Sequence, residues 1–251
     1  MPGGWSKRCA VSWGAARDRR GHSIRFGDVP GAMAKRAVTD LFACVEPGAD
    51  GWQRLDLPDA DVTLSPGWLA ADAADMLMAR LLVEIPWEAH RLRLFGRELA
   101  APRLSCWIGD PGTAYTYSGT RFEPRPWPAS LAAWRDRIEQ ACAGRFDSVL
   151  ANLYRDGGDS MGWHSDDEPE LGAQPLIASL SLGAERRFRF RRRRARGEPM
   201  RDGDTLELRL PHGSLLRMAG DTQRFYRHDL PKMRAVAAPR INLTFRRIVV
   251  R

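Results

Sequence analysis

The chain has 251 residues, with 39 Lys or Arg against 31 Asp or Glu, so its formal net charge is +8. This length suits one large domain, and an apolar fraction of 43% can fill a substantial core. The basic balance favours polyanionic partners such as nucleic acid, although it also fits a solvated Arg-rich surface. Every apolar run is far shorter than the roughly 20 residues of a membrane-spanning helix, so we expect no membrane partner.

The first part of the chain differs in composition from the rest. Residues 1–45 mix glycine with basic residues and show little apolar periodicity, so we expect a disordered N-terminal extension, with Met33 as an alternative start. Residues 46–251 are expected to form the folded domain. Four widely spaced cysteines without a C-x-x-C pair predict reduced thiols. We therefore expect a cytoplasmic monomer, nucleoid-associated if the source is bacterial.

Two helices are predicted before a long β region. Apolar residues at helical spacing predict one helix from Ala74 to Glu84, closed by Pro86, and a second from Ala129 to Ala143. After Arg145 the sequence changes to short alternating or β-branched segments such as SVLANLY, LIASLSL and TLELRL. The predicted fold class is therefore mainly β with flanking α, an antiparallel sandwich or jelly roll preceded by helices.

A histidine and a carboxylate lie close together in MGWHSDDEPELG, as His164-x-Asp166, and His228 follows several predicted strands later. Two imidazoles and one carboxylate can occupy one face of an octahedral ion and leave positions for a bidentate co-substrate and O2. This is the non-haem iron arrangement. An H-x-D pair alone is a weak signal, because a histidine near acids is more often a hydrogen-bonded loop residue.

A polar strand face near the C-terminus supports the metal hypothesis. In RINLTFR, polar residues alternate with apolar ones, so one face of the predicted strand carries Arg240, Asn242, Thr244 and Arg246. Two arginines facing one cavity require a buried anion, and a dicarboxylate co-substrate would supply it. The alternative is a surface strand with solvated arginines. Asn152 and Tyr154 share a strand face before the metal-binding turn, where they could hydrogen-bond the co-substrate.

Together these segments resemble the AlkB-like dioxygenases, especially the subgroup that dealkylates nucleic acids. The shared motifs lie between Leu94 and Arg251: LFGR (94–97), PRLSCWIGD (102–110), AYTYSG (114–119), PRPW (124–127), NLY (152–154), WHSDDEPELG (163–172), IASLSLGAERRF (177–188), HGSLLRM (212–218), HDLP (228–231) and APRINLTFR (238–246).

The resemblance implies a double-stranded β-helix core in which His164, Asp166 and His228 bind Fe(II). It also implies that 2-oxoglutarate is surrounded by five residues, with the first arginine on its distal carboxylate and the second near its chelating end: Arg240, Arg246, Asn152, Tyr154 and Thr244. With O2, the implied reaction is oxidative dealkylation of bases such as 1-methyladenine and 3-methylcytosine in alkylated DNA, a direct-reversal repair. RNA or another substrate, or a non-catalytic nucleic-acid-binding module, are the alternatives.

The resemblance further implies a substrate-binding set, because a damaged base must leave the duplex to react. The set has three parts. A finger segment that fills the vacated stack is formed by Phe95, Gly96 and Arg97, and a lid over the base is formed by Tyr115, Thr116 and Tyr117. An acidic pair, Asp167 and Glu168, faces the base. Ordinary core aromatics and a solvated acidic turn are the alternatives. The basic run from Arg186 to Arg196 begins as an alternating R-F-R-F strand segment and ends in a predicted hairpin loop. Its charge fits a phosphate-contacting loop or a merely solvated one.

Overall fold

The computed structural model describes residues 51–94, 97–117, 120–194, 198–199 and 204–249. The predicted extension over residues 1–45 and the alternative start at Met33 lie outside these ranges and stay predictions. No helix within the described ranges is long and apolar enough to cross a membrane.

Two antiparallel sheets form the body of the domain. The larger sheet has the strand order β1–β2–β13–β10–β15–β8–β5. Its strands are β1 (Gln53–Arg54), β2 (Asp61–Ser65), β5 (Leu104–Gly109), β8 (Ser148–Tyr154), β10 (Ile177–Gly183), β13 (Leu215–Ala219) and β15 (Arg240–Arg246). The smaller sheet has the order β12–β11–β14–β9. Its strands are β9 (Met161–His164), β11 (Arg186–Arg192), β12 (Thr205–Leu210) and β14 (Tyr226–Leu230).

From β8 onward the chain alternates between the two sheets, except that β11 and β12 pair in the small sheet, and this is the connectivity of a jelly roll. The predicted mainly-β fold class is therefore confirmed. Two short hairpins stand apart from the sheets: β3 (Arg91–Leu94) with β4 (Arg97–Ala100), and β6 (Tyr115–Tyr117) with β7 (Thr120–Phe122).

Two longer helices precede most of the β region, close to their predicted positions. Helix α1 (Ala71–Glu84) begins three residues before the predicted start, because its first turn precedes the apolar stripe that the periodicity detects. Helix α2 (Ala129–Cys142) ends one residue earlier than predicted, since Ala143 is left-handed with φ 51° and its N–H closes the last turn. A short helix α3 (Thr222–Phe225) and a 3-10 turn (Pro169–Leu171) complete the helical segments described.

The core between the sheets is apolar on the small-sheet side. Alternation along β11 turns Phe188 and Phe190 inward, where they pack with Tyr226 of β14 and Met218 of β13. The inner face of the large sheet differs, because polar side chains interrupt its apolar pattern on three neighbouring strands. This polar area lies opposite β9 and β14, where the predicted metal ligands are placed.

Candidate active site

Two strands of the small sheet bring the predicted metal ligands together. His164 ends β9 and is the cross-strand partner of His228 on β14, while Asp166 lies in the turn that follows β9. One donor atom from each residue lies within 4.8 Å of the other two. The strand pairing therefore assembles the set that the sequence separates by many residues.

Hydrogen bonding sets the tautomer of the first imidazole. His164 Nδ1 lies 2.8 Å from the Gly162 carbonyl oxygen, which can only accept, so Nδ1 carries the proton and Nε2 keeps its lone pair. Desolvation lowers the pKa of His164, and it lowers the pKa of His228 to about 3, helped by the neighbouring His164. Both imidazoles are therefore neutral near pH 7, the form that binds metals.

Asp166 is ionised although it is buried. Burial raises its pKa, but Arg246, His228 and His164 outweigh this effect and hold the pKa below its ordinary value. Arg246 Nη2 donates a hydrogen bond to Asp166 Oδ1, and His228 Nε2 lies 3.7 Å from Asp166 Oδ2. The site thus presents two neutral imidazoles and one carboxylate.

The turn that carries Asp166 is anchored from both sides. The Asp166 backbone N–H donates to Gln223 Oε1 at 3.0 Å, and Gln223 is buried. Ser165 Oγ donates to the Tyr226 carbonyl at 2.8 Å and accepts from Arg193 Nη2 at 2.8 Å. Sequence analysis missed Gln223 and Ser165, because these contacts join segments about 60 residues apart and leave no local pattern.

A polar area crosses the inner face of the large sheet. In the register of β8, β15 and β10, Asn152 lies opposite Asn242, which lies opposite Ser181. Thr244 lies opposite Ser179 in the same way. Each of these side chains is buried. Such buried polar groups are costly unless they bond one another or a ligand.

Arg240 is a buried cation at one end of this polar area. Its side chain is 1% exposed, and its Nη2 donates to Ser181 Oγ at 2.8 Å and Asn242 Oδ1 at 2.6 Å. Nε and Nη1 have no hydrogen-bond acceptor within the described parts of the chain. Burial lowers the pKa of Arg240 to about 10, against a raising effect of Tyr154. The predicted alternative of a solvated surface strand is wrong, since all seven residues of β15 are buried.

A small cavity of about 30 Å³ lies between these groups. His164, Asp166 and His228 line one side, and Asn152, Tyr154, Asn242, Thr244 and Arg246 line the other. Of the predicted co-substrate residues, Arg240 alone does not line the cavity; it lies behind Asn242, which it bonds.

Comparison with known proteins matches this arrangement to a family. The model of the 2OG-Fe(II) oxygenase superfamily matches residues 61–246. The chain belongs to this superfamily. Its members are dioxygenases that use Fe(II), 2-oxoglutarate and O2, so the predicted enzyme class and cofactors are confirmed at the level of the family.

Similar sequences narrow the relationship within the 2OG-Fe(II) oxygenases. The chain is 40% identical over 193 residues to human alpha-ketoglutarate-dependent dioxygenase alkB homolog 3, covering 74% of this chain and 66% of that one. It is 44% identical over 192 residues to the DNA oxidative demethylase ALKBH2 of Bos taurus, covering 76% and 69%. The chain thus spans about two thirds of the length of these relatives, and the predicted AlkB-like resemblance is confirmed.

A solved structure supports the fold alone. The structure of OsALKBH1 superposes with a TM-score of 0.52 at 17% identity, covering 78% of this chain and all of that one. It agrees with the jelly-roll core described above.

The residues present fit the groups that the 2OG-Fe(II) oxygenases require. The neutral imidazoles and the ionised carboxylate form a donor set suited to Fe(II). The unpartnered donors of Arg240 are what a buried carboxylate of 2-oxoglutarate would satisfy. Asn152 lines the same cavity, and buried Arg103 fixes its side chain by donating a hydrogen bond to its Oδ1 at 2.9 Å. Sequence analysis missed Arg103; its place in the PRLSCWIGD motif was the available signal.

The predicted substrate-binding residues are only partly described. Phe95 and Gly96 lie outside the described residues, as do the side chains of Arg97, Tyr115, Thr116 and Tyr117. Asp167 and Glu168 are described, and neither lines the cavity. Asp167 is exposed and pairs with Arg193 at 2.5 Å. The acidic turn is therefore tied to the basic run and is not simply solvated.

The basic run begins as a strand, as its alternation predicted, since residues Arg186 to Arg192 form β11 of the small sheet. The hairpin loop predicted at its end includes residues 195–197, which lie outside the described residues. Most of its arginines already have acidic partners: Arg187 with Glu207, Arg189 with Asp229, Arg192 with Asp59, Arg193 with Asp167 and Arg194 with Asp204. The run is thus largely neutralised within the fold.

Proposed function

We propose that this protein is an oxidative dealkylase that removes alkyl groups from bases such as 1-methyladenine and 3-methylcytosine in DNA, as a direct-reversal repair enzyme. The observation that carries the proposal is the cluster of His164, Asp166 and His228 beside a buried arginine with unpartnered donors. The names of the similar proteins, a DNA oxidative demethylase among them, support the substrate class.

The proposed roles follow from the geometry. His164, Asp166 and His228 hold Fe(II), and Arg246 keeps Asp166 ionised and oriented through its hydrogen bond. Arg240 binds the distal carboxylate of 2-oxoglutarate, while Asn152, Tyr154 and Thr244 fix its body in the cavity. Bound Fe(II) supplies the oxidising chemistry, which couples decarboxylation of 2-oxoglutarate to hydroxylation of the alkyl carbon.

The protein's own contribution is to position reactants and exclude water. Phe188 stacks on the ring of His228 with centroids 5.3 Å apart, and Met161 and Leu230 close the cavity with apolar surface. An apolar wall beside the ligands shields the reacting centre from bulk solvent. The hydroxylated N-alkyl group then breaks down to aldehyde and free base without needing a catalytic acid from the chain.

The proposal is tested by product release from the purified chain. Fe(II), 2-oxoglutarate, ascorbate and oligonucleotides carrying 1-methyladenine or 3-methylcytosine are supplied, single- and double-stranded, as DNA and as RNA. Equal amounts of succinate and formaldehyde, with loss of the lesion from DNA, are expected. Succinate release without lesion loss would show that the substrate is not an alkylated base in these oligonucleotides. Faster turnover of the RNA oligonucleotides would make RNA the preferred substrate. Oligonucleotide binding without turnover would indicate a non-catalytic module.

A substitution at the metal cluster tests the ligand assignment. His164→Ala removes one of three donors, and we expect lesion turnover to fall at least about 100-fold while the circular dichroism spectrum is kept. His212→Asn is the matched control, because His212 lies before β13 and bonds the Gly183 N–H away from the cavity. An active His164→Ala variant would contradict the assignment.

A further inference from the structure

The outer face of the small sheet carries a row of arginines. Because Phe188 and Phe190 face the core, Arg187, Arg189 and Arg191 of β11 lie on the opposite face. The strand register creates two like-charged cross-strand pairs on this face. Arg187 lies opposite Arg209 on β12, and Arg191 lies opposite Arg227 on β14.

The first pair is neutralised by neighbouring acids. Arg187 lies 3.8 Å from Glu207, and Arg209 lies 3.4 Å from Glu185. Arg189, between the two pairs, bonds Asp229 through two nitrogens at 2.9 and 2.5 Å. The sheet thus supplies one carboxylate for each of these three arginines.

The second pair has no such compensation. Within the described parts of the chain, neither Arg191 nor Arg227 has a carboxylate in ion-pairing distance, and Arg227 is exposed. The Arg191 guanidinium instead lies 4.2 Å from the ring centroid of Trp163, which also contacts Arg189 at 5.0 Å. Like charges directly opposite on a sheet destabilise it, so an anion between the two guanidinium groups would stabilise this pair.

A cleft lies beside the pair. Its volume is about 340 Å³, and five arginines line it: Arg191, Arg192, Arg193, Arg194 and Arg227. Three of them are already bound to Asp59, Asp167 and Asp204, which leaves Arg191 and Arg227 as the uncompensated charges. Asp167 follows the ligand Asp166 directly, so one end of the cleft adjoins the metal-binding turn.

We propose that Arg191 and Arg227 form a phosphodiester-binding site for the nucleic-acid strand that carries the target base. The inference rests on the proposed function and names how the strand is held outside the catalytic cavity. Two planar guanidinium groups match the paired oxygens of a phosphate, and the Trp163 ring holds Arg191 in place. Such contacts position the strand without selecting its sequence.

The test measures oligonucleotide binding across a salt series. The full chain without Fe(II) or 2-oxoglutarate is titrated into a labelled unmodified 15-nucleotide oligothymidylate, followed by fluorescence anisotropy. Arg227→Ser is compared with Arg209→Ser, which removes the same charge from the same face of the sheet. We expect Arg227→Ser to weaken binding about three- to tenfold and to reduce the slope of log Kd against log salt by about 0.7. Arg209→Ser should leave both close to wild type.

The outcomes separate this site from the proposed function. Equal losses in both variants would show only a general charge effect and would overturn the site, as would an unchanged salt slope in Arg227→Ser. Lesion turnover by the wild-type chain is measured in parallel. If turnover occurs but Arg227→Ser binds normally, the site fails and the dealkylase proposal stands. If turnover is absent while Arg227→Ser loses affinity selectively, the phosphate site stands alone.

Discussion

Two buried arginines lie near the same aromatic ring and have different partners. Arg186 of β11 and Arg240 of β15 are each 1% exposed, and their guanidinium carbons lie 5.8 and 5.4 Å from the Tyr154 ring centroid. Arg186 donates to three backbone carbonyls, those of Asp156, Asp159 and Pro231. Arg240 donates to the side chains of Ser181 and Asn242, and among the described residues its Nε and Nη1 have no acceptor, whereas Arg186 leaves only Nε without one.

The difference in partners indicates a structural role for Arg186 and supports the proposed ligand-binding role of Arg240. Two aspartates near Arg186, Asp159 and Asp156, partly offset the burial that lowers its pKa. Arg240 has no carboxylate among the groups that raise its pKa, and the charge of Arg186 lowers that pKa further. Burial alone therefore does not distinguish the two arginines; within the described ranges, Arg240 differs in having two unfilled donors instead of one and no nearby carboxylate.

The largest effect is expected from replacing Arg240, the proposed ligand of the 2-oxoglutarate carboxylate. Arg240→Met should raise the KM for 2-oxoglutarate about 100-fold, because two charge-assisted hydrogen bonds to a carboxylate stabilise binding by about 3 kcal/mol. Stability without co-substrate should be unchanged or higher, since an incompletely paired buried cation is removed. The measurement is the shift in Tm on adding 2-oxoglutarate with Mn(II). A full Tm shift in Arg240→Met would place the distal carboxylate elsewhere.

The second prediction concerns Arg186, the buried arginine that bonds backbone carbonyls. Arg186→Met removes the side-chain donor from the carbonyls of Asp156, Asp159 and Pro231, of which the Asp156 carbonyl keeps a bond from the Asp159 N–H, so the free energy of unfolding should fall by about 3 kcal/mol. The KM for 2-oxoglutarate should change less than about threefold. Urea denaturation and steady-state kinetics of the folded variant measure the two quantities. If Arg186→Met instead raised the KM as much as Arg240→Met, the two arginines would share one role.

Local pattern explains how much of the fold was predictable. The segments SVLANLY and TLELRL coincide with β8 and β12, because alternating and β-branched residues at consecutive positions indicate a strand. The metal cluster was predicted from residue types and order. In RINLTFR the alternation predicted the shared face of Arg240 and Arg246, but only the sheet order shows that both faces of β15 are buried.

Contacts between distant segments explain what was not predictable. Arg187 and Arg189 of β11 pair with acids on β12 and β14, and this pairing depends on register, which places Glu207 and Asp229 on either side of Arg189. Gln223 binds the backbone of Asp166 from a short helix that the sequence pattern did not indicate. Neither contact can be predicted from residues that are neighbours in the sequence.

The smallest predicted effect concerns the turn that supports Arg186. The Asp159 carboxylate accepts hydrogen bonds from Arg155 N, Nε and Nη2 at 2.8–2.9 Å, and the Arg155 side-chain bond is the main reason that the pKa of Asp159 is lowered.

Because the folded-state pKa of Asp159 lies below its unfolded value of about 3.9, the carboxylate stabilises the fold above that pH. The stabilisation is lost as pH falls through the folded pKa. Arg155 is about half exposed, so we expect Asp159→Asn to cost about 1 kcal/mol at pH 7 and to flatten the acid dependence below pH 4. Urea midpoints at pH 7, 5 and 3 measure this. Parallel pH curves for wild type and Asp159→Asn would mean that other carboxylates set the acid limit, and the turn would then hold Arg186 through its backbone carbonyls alone.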